Sequence, residues 1–342
     1  SGRENMMDPV KFAVVGLGMG RNRSRMTTET EGAELAMVVD LDEERARAVG
    51  EELGVPWALD IEEALSRDDI ECIFVMTPSG THVDVALQAV AANKNVITTK
   101  PMDVSTSACD RLIDACDKQG VHLLVDFQSR YVDGNLATQR AVQEGWLGRP
   151  MLGEFRFKWY RSQAYYDDRG GWRGTWDMDG GGSLANQGIH GLDLLMWVMG
   201  DIKAVYAEIA VLNHDIETED TGVVIFDFAN GSKGAVTSTT TFPCEEEYEA
   251  GGGAYYSFEV HGDKGGIFLH DALGGTGEFM VAEDVKKKIE AVVCPRKNII
   301  DDAVHVIRHG AAPVVDGREG RKSVALLEAI YKSAREGRKV AL

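Results

Sequence analysis

The stretch that decides the fold is Lys11-Phe-Ala-Val-Val-Gly-Leu-Gly-Met-Gly20, a short apolar run that ends in closely spaced glycines. The next apolar run, Ala33 to Val39, is followed by an acidic residue, Asp40. A buried strand, a glycine turn, a helix and a second strand that ends in a carboxylate form the minimal dinucleotide-binding unit. Glycines let the backbone approach a pyrophosphate, and the helix N-terminus offers its N–H groups to the anion. The pattern therefore predicts dinucleotide binding at this turn.

The spacing of the turn, Gly16-x-Gly18-x-Gly20, brings the third glycine one residue earlier than the usual motif does. Asp40 lies where an acid is expected to accept hydrogen bonds from the adenosine ribose and to repel a 2′-phosphate. We therefore expect NAD as the cofactor, with NADP possible because Arg45 lies one turn further on. The residues of the turn expected to contact the cofactor are Gly16, Gly18, Met19, Gly20 and Arg21.

Composition sets the outer limits on function. A formal net charge of −19 over 342 residues argues against a nucleic-acid partner or an anionic membrane surface. No apolar stretch approaches the roughly 18–20 residues that span a bilayer. The cysteines are odd in number and contain no Cys-x-x-Cys pair, so reduced thiols in a cytoplasmic protein are expected; they are Cys72, Cys109, Cys116, Cys244 and Cys294. Residues Ser1 to Asn5 are interpreted as a non-native remnant.

The first half of the chain alternates strand and helix patterns. Apolar strands that alternate with helices predict a parallel sheet covered on both faces, a Rossmann-type doubly wound fold. Because ligands bind at the C-terminal ends of such strands, Thr77-Pro78 and Thr99-Lys100-Pro101 are expected to line one cleft. The predicted elements are helices 43–53, 83–92 and 105–119 and strands 70–76, 96–99 and 121–127.

The pattern changes after about residue 131. Longer strands joined by hairpins at Asn230-Gly231 and at Gly262 to Gly266 predict an open, largely antiparallel sheet in an α+β domain. The predicted strands are 152–160, 204–212, 221–228, 234–242 and 255–260, and the predicted helices are 183–199, 299–308 and 322–336. We therefore predict a dinucleotide-binding domain over 7–130 and a substrate-binding and oligomerisation domain over 131–342.

Lys100 directly follows a predicted strand of the first domain and precedes Pro101. Proline restricts the residue before it to extended geometry, which holds the lysine side chain in one direction. At the rim of a nucleotide cleft, a lysine can bind a substrate oxygen or take part in proton transfer. The alternative is an ordinary solvated lysine.

A second concentration of polar residues lies in the glycine-rich segment 179–197. Read as a helix from Ser183, it places Asn186, His190, Asp193 and Trp197 in one stripe. Polar side chains on an otherwise apolar helix must be hydrogen-bonded inside the protein or face a cavity. Histidine suits proton transfer near neutral pH, whereas the alternative is a structural histidine tied to a carbonyl. The glycines around the helix start indicate close approach by another backbone or by a ligand.

Segment 159–176 is rich in aromatic residues, arginine and glycine and leads into this helix. Aromatic faces beside polar tips suit a sugar or cyclitol ring, and Arg161 and Arg173 can instead recognise a carboxylate or phosphate. The alternative is a loop whose aromatics are anchored in the core or at a subunit contact. His305 and His309 are interpreted as surface residues, and we expect no metal site.

These motifs together resemble the glucose–fructose oxidoreductase/inositol dehydrogenase (Gfo/Idh/MocA) superfamily of nicotinamide-dependent sugar oxidoreductases, over essentially the whole chain. The resemblance is carried by the glycine turn with Asp40, by Thr77-Pro78 followed by His82, and by Thr99-Lys100-Pro101 where the family usually has Glu-Lys-Pro. It is also carried by segments 180–197, 259–266 and 315–321.

The resemblance implies that Lys100 contacts the reacting substrate oxygen and the nicotinamide ribose, and that His190 moves the hydroxyl proton. Many members place an aspartate four residues before this histidine, where the present chain has Asn186. An amide carries no charge, so it cannot act as that carboxylate, although it can bind a sugar hydroxyl. Asp193 is expected either to orient His190 or to serve the helix packing. Further expected contacts are Thr77, Pro78 and His82 with the cofactor, and Gln128, Arg130, Trp172 and Arg173 with the substrate.

The resulting hypothesis is an NAD(P)-dependent oxidoreductase that transfers a hydride between nicotinamide and a secondary alcohol or ketone of a sugar, sugar derivative or cyclitol. One alternative is a glycosidase or lyase that uses retained NAD for transient oxidation. A second is a catalytically silent nucleotide-binding regulator. Because an open sheet leaves one face uncovered, we expect a homodimer or homotetramer, as is usual in the family.

Overall fold

The chain divides into two compact units in a computed structural model that describes residues 8–242, 255–271 and 276–342. The first unit contains the chain up to Asp126 together with Arg296–Arg321, and the second contains Phe127–Pro295 and Lys322–Leu342. The α-helices are α1 (Gly20–Glu29), α2 (Glu43–Leu53), α3 (Ile61–Leu65), α4 (His82–Ala91), α5 (Thr106–Gln119), α6 (Asp133–Gln143), α7 (Gln163–Asp167), α8 (Ile189–Met199), α9 (Glu283–Glu290), α10 (Ile299–His309) and α11 (Gly317–Glu336). Cys244 and Ser1 to Asn5 lie outside the described residues.

The first unit is built on a parallel sheet of six strands in the order β3-β2-β1-β4-β5-β6. Its strands are β1 (Val10–Val15), β2 (Ala33–Val39), β3 (Trp57–Ala58), β4 (Cys72–Val75), β5 (Asn95–Thr99) and β6 (Leu123–Asp126). Every residue of β4 and β6 is buried, as expected of strands covered on both faces. The strand order reverses between β1 and β4, where a doubly wound sheet binds its ligand. The predicted Rossmann-type fold is confirmed.

Local signals set the helix ends of this unit. The side chain of Asp42 accepts a hydrogen bond from the backbone N–H of Arg45 at the start of α2, and Ser105 does the same for Ala108 at the start of α5. Gly54 and Gly120 end these two helices in the left-handed conformation, as the sequence predicts.

Segment Arg296–Arg321 groups with the first unit, whereas the predicted division assigns it to the second domain. The reason is long-range packing onto β6. A Cβ atom added to Gly317 would lie 2.5 Å from Leu123, and one added to Gly320 would lie 2.5 Å from Val125. The start of α11 therefore lies directly on the sheet of the first unit.

The second unit contains an eight-stranded sheet in the order β13-β12-β11-β7-β10-β9-β8-β14. Its strands are β7 (Pro150–Lys158), β8 (Ile202–Ala210), β9 (Thr221–Phe228), β10 (Lys233–Thr239), β11 (Tyr255–Gly262), β12 (Gly265–Asp271), β13 (Thr276–Met280) and β14 (Val340–Ala341). β7 and β10 pair in parallel, and the other neighbouring strands pair antiparallel. Both predicted hairpins, β9–β10 and β11–β12, are present, so the largely antiparallel sheet is confirmed.

Helix α8 covers one face of this sheet at unusually close range. A Cβ atom on Gly191 would lie 1.9 Å from the Phe155 ring of β7, and one on Gly153 would lie 2.9 Å from Met199. The opposite face carries exposed apolar residues of β9, because Val223 and Ile225 are 45% and 52% exposed. Within the described ranges, each helix is too short or too polar to span a lipid bilayer.

Candidate active site

The glycine turn after β1 lies directly against the end of β4. Gly16 has a φ of +90°, and a Cβ atom there would lie 2.7 Å from the backbone carbonyl of Met76. Gly20, the first residue of α1, is nearly as close, since its Cβ would lie 3.2 Å from side-chain atoms of Met76 and Val14. The approach at Gly16 requires glycine, and Gly20 leaves little room for a side chain; together they bring the N-terminus of α1 to the point where the strand order reverses.

The N-terminus of α1 offers its backbone N–H groups to a ligand. Met19 precedes the helix, makes no side-chain capping hydrogen bond and is 63% exposed. The first N–H groups of a helix lack intrahelical partners, and their partial positive charge favours an anion. The residues of the turn therefore fit the pyrophosphate of a dinucleotide.

Asp40 is held against this turn. Its carboxylate accepts hydrogen bonds from the backbone N–H of Leu17 at 2.7 Å and of Asp42 at 2.9 Å, and the Arg45 guanidinium lies 3.3 Å away. Asp40 is only 8% exposed, so its orientation is set by these contacts. The structure thus places the acid and a cation side by side where the ribose of a bound dinucleotide is expected.

His82 is buried between the two turns that follow β4 and β5. Its Nδ1 lies 2.8 Å from the carbonyl oxygen of Pro101, and its Nε2 lies 2.7 Å from that of Thr77. Burial lowers the pKa of His82, while the two carbonyl contacts act in the opposite direction. His82 is 1% exposed, and its two carbonyl contacts link the two turns. The predicted contact of His82 with the cofactor stays a prediction.

Lys100 lies in the second of these turns, directly after β5, and is half-buried. The peptide bond between Lys100 and Pro101 is cis. Arg21, the other cationic candidate of this unit, forms an ion pair of 2.7 Å with Glu52 and has a largely exposed side chain. The roles expected of both side chains stay predictions.

In the second unit, a buried carboxylate holds the start of the histidine-bearing helix. A single π-helical turn, Leu184–Gly188, precedes α8. The carboxylate of Glu219 accepts hydrogen bonds from the backbone N–H of Leu184 at 2.8 Å and of Gly182 at 3.1 Å, and from the Tyr331 hydroxyl at 3.1 Å. Glu219 therefore satisfies N–H groups that the helix start would otherwise leave without partners.

The glycines before this helix are explained by backbone and ring contacts. A Cβ atom on Gly182 would lie 1.8 Å from the carbonyl oxygen of Glu219, and one on Gly181 would lie 1.9 Å from the Tyr331 hydroxyl. The glycine pattern predicts close approach either by another backbone segment or by a ligand. The structure shows a backbone segment of the same chain at Gly182.

Asn186 and His190 both remain half-buried on this helix. The Asn186 side-chain amide donates to Asp179 at 3.0 Å, and the other oxygen of Asp179 accepts from the backbone N–H of Gly174 at 2.9 Å. The His190 ring lies edge-on to Phe127, with centroids 6.5 Å apart. In a π-helical turn the backbone hydrogen bonds join residues that are five apart, whereas in an α-helix they join residues that are four apart. The turn that contains Asn186 is therefore wider than the α-helical turn that the sequence predicts before His190.

Arg130 and Asp193 form a buried ion pair. The two guanidinium–carboxylate hydrogen bonds measure 2.9 and 2.6 Å, and the guanidinium lies 5.0 Å from the Trp197 ring centre. Of the two roles expected for Asp193, these contacts match helix packing. The observed contacts of Arg130 are with Asp193 and Trp197 of α8. The substrate contact expected of Arg130 stays a prediction.

The remaining substrate candidates lie on the surface or in the aromatic segment. Gln128 is exposed, and Trp172 is half-buried. The Arg173 guanidinium lies 5.1 Å from the Trp172 ring centre and donates to the carbonyl oxygen of Tyr165 at 3.1 Å. No group of three or more His, Cys, Asp and Glu that could hold a metal ion lies in the part of the chain that the structure describes.

Glu219 and Tyr331 are missed by the sequence reasoning. Glu219 stands in an acidic run ahead of β9, and its helix partners are 35 and 37 residues away in the chain. The available signal was the unsatisfied N–H groups of a glycine-rich helix start, which require an acceptor.

The comparisons with known proteins agree with this geometry. Residues 10–127 match the family model described as "Oxidoreductase family, NAD-binding Rossmann fold", and residues 136–268 match the "GFO/IDH/MocA C-terminal domain". D-apiose dehydrogenase of Paraburkholderia graminis is 26% identical over 97% of this chain and 89% of its own length. The scyllo-inositol 2-dehydrogenase (NAD(+)) of Bacillus subtilis is 24% identical over 98% and 97%.

Among solved structures, the WlbA dehydrogenase of Chromobacterium violaceum in complex with NADH and UDP-GlcNAcA is 31% identical, with a TM-score of 0.87 and coverage of 98% of this chain and 96% of that one. The fold and the glycine turn define an oxidoreductase with an NAD-binding Rossmann domain. The chain belongs to the GFO/IDH/MocA family. The predicted family, cofactor and enzyme class are confirmed.

Glu219 leads to a prediction on stability. Burial raises the pKa of Glu219 from 4.5 to about 7. Between these values the folded protein retains a proton that the unfolded chain releases, so the free energy of unfolding falls as pH rises through this window. We expect a decrease on the order of 3 kcal/mol from this group, which Glu219→Gln removes.

Urea unfolding of wild type and Glu219→Gln at pH 5 and pH 8 measures this contribution. The exposed neighbour Glu217 supplies the control, because Glu217→Gln should keep the wild-type difference between the two pH values. An equal pH difference in wild type and Glu219→Gln would show that Glu219 does not titrate in this window.

Proposed function

We propose that this enzyme transfers a hydride between NAD and a secondary alcohol or ketone of a sugar, sugar derivative or cyclitol. The observation that carries the proposal is the uncapped N-terminus of α1, brought against the sheet by Gly16 beside the buried carboxylate of Asp40. The relatives named for D-apiose and scyllo-inositol support a polyhydroxy substrate. None of these findings supports the alternative of transient oxidation in a glycosidase or lyase.

Oxidation of a carbinol requires removal of a hydride from carbon and of a proton from oxygen. NAD, when bound by the turn before α1 and by Asp40, would supply the acceptor for this hydride. His190 takes the hydroxyl proton, and the Lys100 ammonium donates a hydrogen bond to the same oxygen, which stabilises the negative charge that develops there. Glu219 and the Arg130–Asp193 pair hold the helix of His190, and His82 holds the turn of Lys100.

We propose the same division of labour for the two parts of the chain as the sequence predicts, with cofactor binding in the first and substrate binding and oligomerisation in the second. The proposed cofactor contacts are Gly16, Gly18, Met19, Gly20, Arg21, Asp40, Thr77, Pro78, His82 and Lys100. The proposed substrate contacts are Lys100, Gln128, Arg130, Trp172, Arg173, Asn186 and His190. A cytoplasmic location, testable by cell fractionation, is consistent with buried thiols outside disulfides such as those of Cys72 and Cys116.

Variants of the two proposed catalytic residues test the mechanism. Lys100→Met and His190→Ala should each lower turnover about 10²-fold or more, because the first removes the hydrogen bond that stabilises the developing negative charge and the second removes the proton acceptor. The combined loss in the double variant should fall well short of the product of the single losses, since the two groups act on one oxygen. Turnover is followed by the absorbance of NADH, first with D-apiose, scyllo-inositol and UDP-GlcNAcA as candidate substrates.

The exposed residues Lys118 and His122 provide matched controls, as Lys118→Met and His122→Ala should leave turnover unchanged. Affinity for NAD should change little in His190→Ala. Near-normal turnover in either Lys100→Met or His190→Ala would remove that residue from the mechanism, and absence of NADH formation with every polyhydroxy compound tried would contradict the proposed reaction.

Cofactor preference provides a second test. The carboxylate of Asp40 should repel a 2′-phosphate, so NAD should bind more tightly than NADP. Asp40→Asn should narrow this difference, because it removes the negative charge and leaves Arg45 beside the ribose site. Titration of both cofactors by fluorescence measures the ratio, and tighter binding of NADP to the wild type would refute the assignment of Asp40.

Oligomeric state provides a third test. The exposed Val223 and Ile225 of β9 lie opposite Thr237 and Ala235 of β10, which makes an apolar strip on the face that α8 leaves uncovered. We propose that this face packs against its copy in a second subunit, giving a homodimer or homotetramer. Light scattering at micromolar concentration should show at least twice the mass of the chain, and Ile225→Glu should lower it. A wild-type monomer at these concentrations would contradict the proposal.

A further inference from the structure

Arg161, in the aromatic segment that follows β7, lies between two aromatic side chains. Its guanidinium carbon is 4.1 Å from the ring centre of Trp159 and 4.7 Å from that of Tyr165. Such rings stabilise the cation through their faces but offer no conventional acceptor to its N–H groups. The two rings therefore leave the N–H groups of Arg161 without an acceptor.

Two donors in this cluster are buried and have no acceptor among residues 8–242, 255–271 and 276–342. They are the Nε of Arg161 and the indole Nε1 of Trp159. Within the same ranges, Arg161 also forms no ion pair with a carboxylate. Buried donors without an acceptor destabilise a folded protein and are rare. Two such donors on adjacent side chains indicate a place prepared for acceptor oxygens.

Neighbouring arginines of the same unit do have acceptors. Arg173 donates to the carbonyl oxygen of Tyr165 and lies 3.8 Å from the carboxylate of Asp168. Arg156 of β7 lies 3.4 Å from the carboxylate of Glu259. Arg161 differs from both, because its Nε has no acceptor in the described part of the chain. The lack of an acceptor is therefore specific to Arg161 and is not shared by these two arginines.

The backbone of Arg161 is held on both sides. Its N–H donates to the carbonyl oxygen of Thr240 at 2.9 Å, and its carbonyl oxygen lies 2.7 Å from Nε2 of His214. The other ring nitrogen of His214 lies 3.0 Å from the buried carboxylate of Asp220. Because a ligand gains most affinity from donors that are already in place, this support favours a recognition role.

A chain of contacts joins Arg161 to the helix of the proposed base. The Tyr165 ring contacts the Arg161 guanidinium, and the Tyr165 hydroxyl accepts a hydrogen bond of 3.4 Å from the side chain of Gln187. Gln187 lies in the π-helical turn, three residues before His190. The unsatisfied donors of Arg161 and the helix of the proposed base are thus connected through Tyr165 and Gln187 within the second unit.

We propose that Arg161, with Trp159 beside it, binds an anionic oxygen group of the substrate, either a carboxylate or a phosphate. The proposal rests on the proposed function, because it places this group on the same polyhydroxy substrate that is oxidised. A guanidinium fork matches two oxygens of either group, and the indole N–H supplies a further donor. A neutral sugar leaves the charge of Arg161 without a counter-charge, so the substrate site should discriminate against it.

Binding measurements with three matched probes test the proposal. The enzyme loaded with NADH is titrated calorimetrically with D-glucose, D-glucuronate and D-glucose 6-phosphate. We expect at least one anionic probe to bind about 10-fold or more tightly than D-glucose, because a charge-assisted pair adds to the shared sugar contacts. Preference for D-glucuronate identifies a carboxylate as the group, and preference for D-glucose 6-phosphate identifies a phosphate. Equal affinity for the three probes, or binding of none, overturns the proposal.

Variants then assign the preference to Arg161. Arg161→Gln should weaken the preferred anionic probe about 10- to 100-fold and leave D-glucose unchanged, while Arg161→Lys should lose less because it keeps the charge but not the fork. Arg156→Gln is the matched control, as it removes a partly exposed arginine of β7 and should keep the preference. An unchanged preference in Arg161→Gln, with a native near-ultraviolet spectrum, overturns the assignment. If Arg161→Gln does not fold, Arg161→Lys decides the question. Its preference for the anionic probe should be weaker than that of the wild type, and an unchanged preference overturns the assignment.

The two proposals fail separately. Anion binding that depends on Arg161, without oxidation of any polyhydroxy compound, contradicts the proposed reaction alone. Oxidation that is equally efficient with neutral and anionic sugars, and indifferent to Arg161→Gln, contradicts the anionic subsite alone.

Discussion

The contact between Gly16 and the end of β4 is the constraint on which the first unit depends. A side chain at Gly16 would lie 2.7 Å from the Met76 carbonyl, so the turn can close only around glycine. With the turn closed, the backbone N–H of Leu17 reaches Asp40, and α1 begins at the strand reversal with its N–H groups exposed to a ligand. One close approach that only glycine permits therefore shapes the turn that we propose to bind the cofactor.

In the second unit, the N–H groups at the start of a helix are satisfied by a buried side chain. The histidine-bearing helix begins inside the protein, where N–H groups without partners are costly, and the buried carboxylate of Glu219 supplies the acceptor. Arg130 and Asp193 fasten the same helix further along. Removing one member of such a buried pair leaves an uncompensated charge, so loss of Arg130 or of Asp193 should destabilise the fold around the helix that carries His190.

Much of the fold could be predicted because its signals are local. The apolar runs of β1 and β4, the left-handed glycines at 54 and 120 and the Asn230-Gly231 hairpin each act over a few residues. The elements that were not predicted are β3, β13, β14, α3, α6, α7 and α9. The attachment of Arg296–Arg321 to the first unit depends on contacts with β6, about 190 residues earlier in the chain, which no local pattern encodes.

The candidate site divides in the same way. Motifs predict Lys100, His190 and Asp40 as site residues, whereas the side chains that hold their elements in place depend on partners that no motif indicates. Glu219 bonds a helix start 35 residues away, and the two carbonyl contacts that fix His82 come from turns on different strands. The π-helical turn before His190 is a further departure, since helical periodicity alone predicts a continuous α-helix.

The central claim is that Lys100 and His190 act on one substrate oxygen beside bound nicotinamide. A crystal structure of the enzyme with NADH and the polyhydroxy compound that it oxidises tests this claim most directly. We expect one substrate oxygen to lie within hydrogen-bond distance, roughly 2.6–3.2 Å, of both the Lys100 Nζ and a ring nitrogen of His190. A substrate held with either side chain beyond the reach of a direct or single-water contact would contradict it.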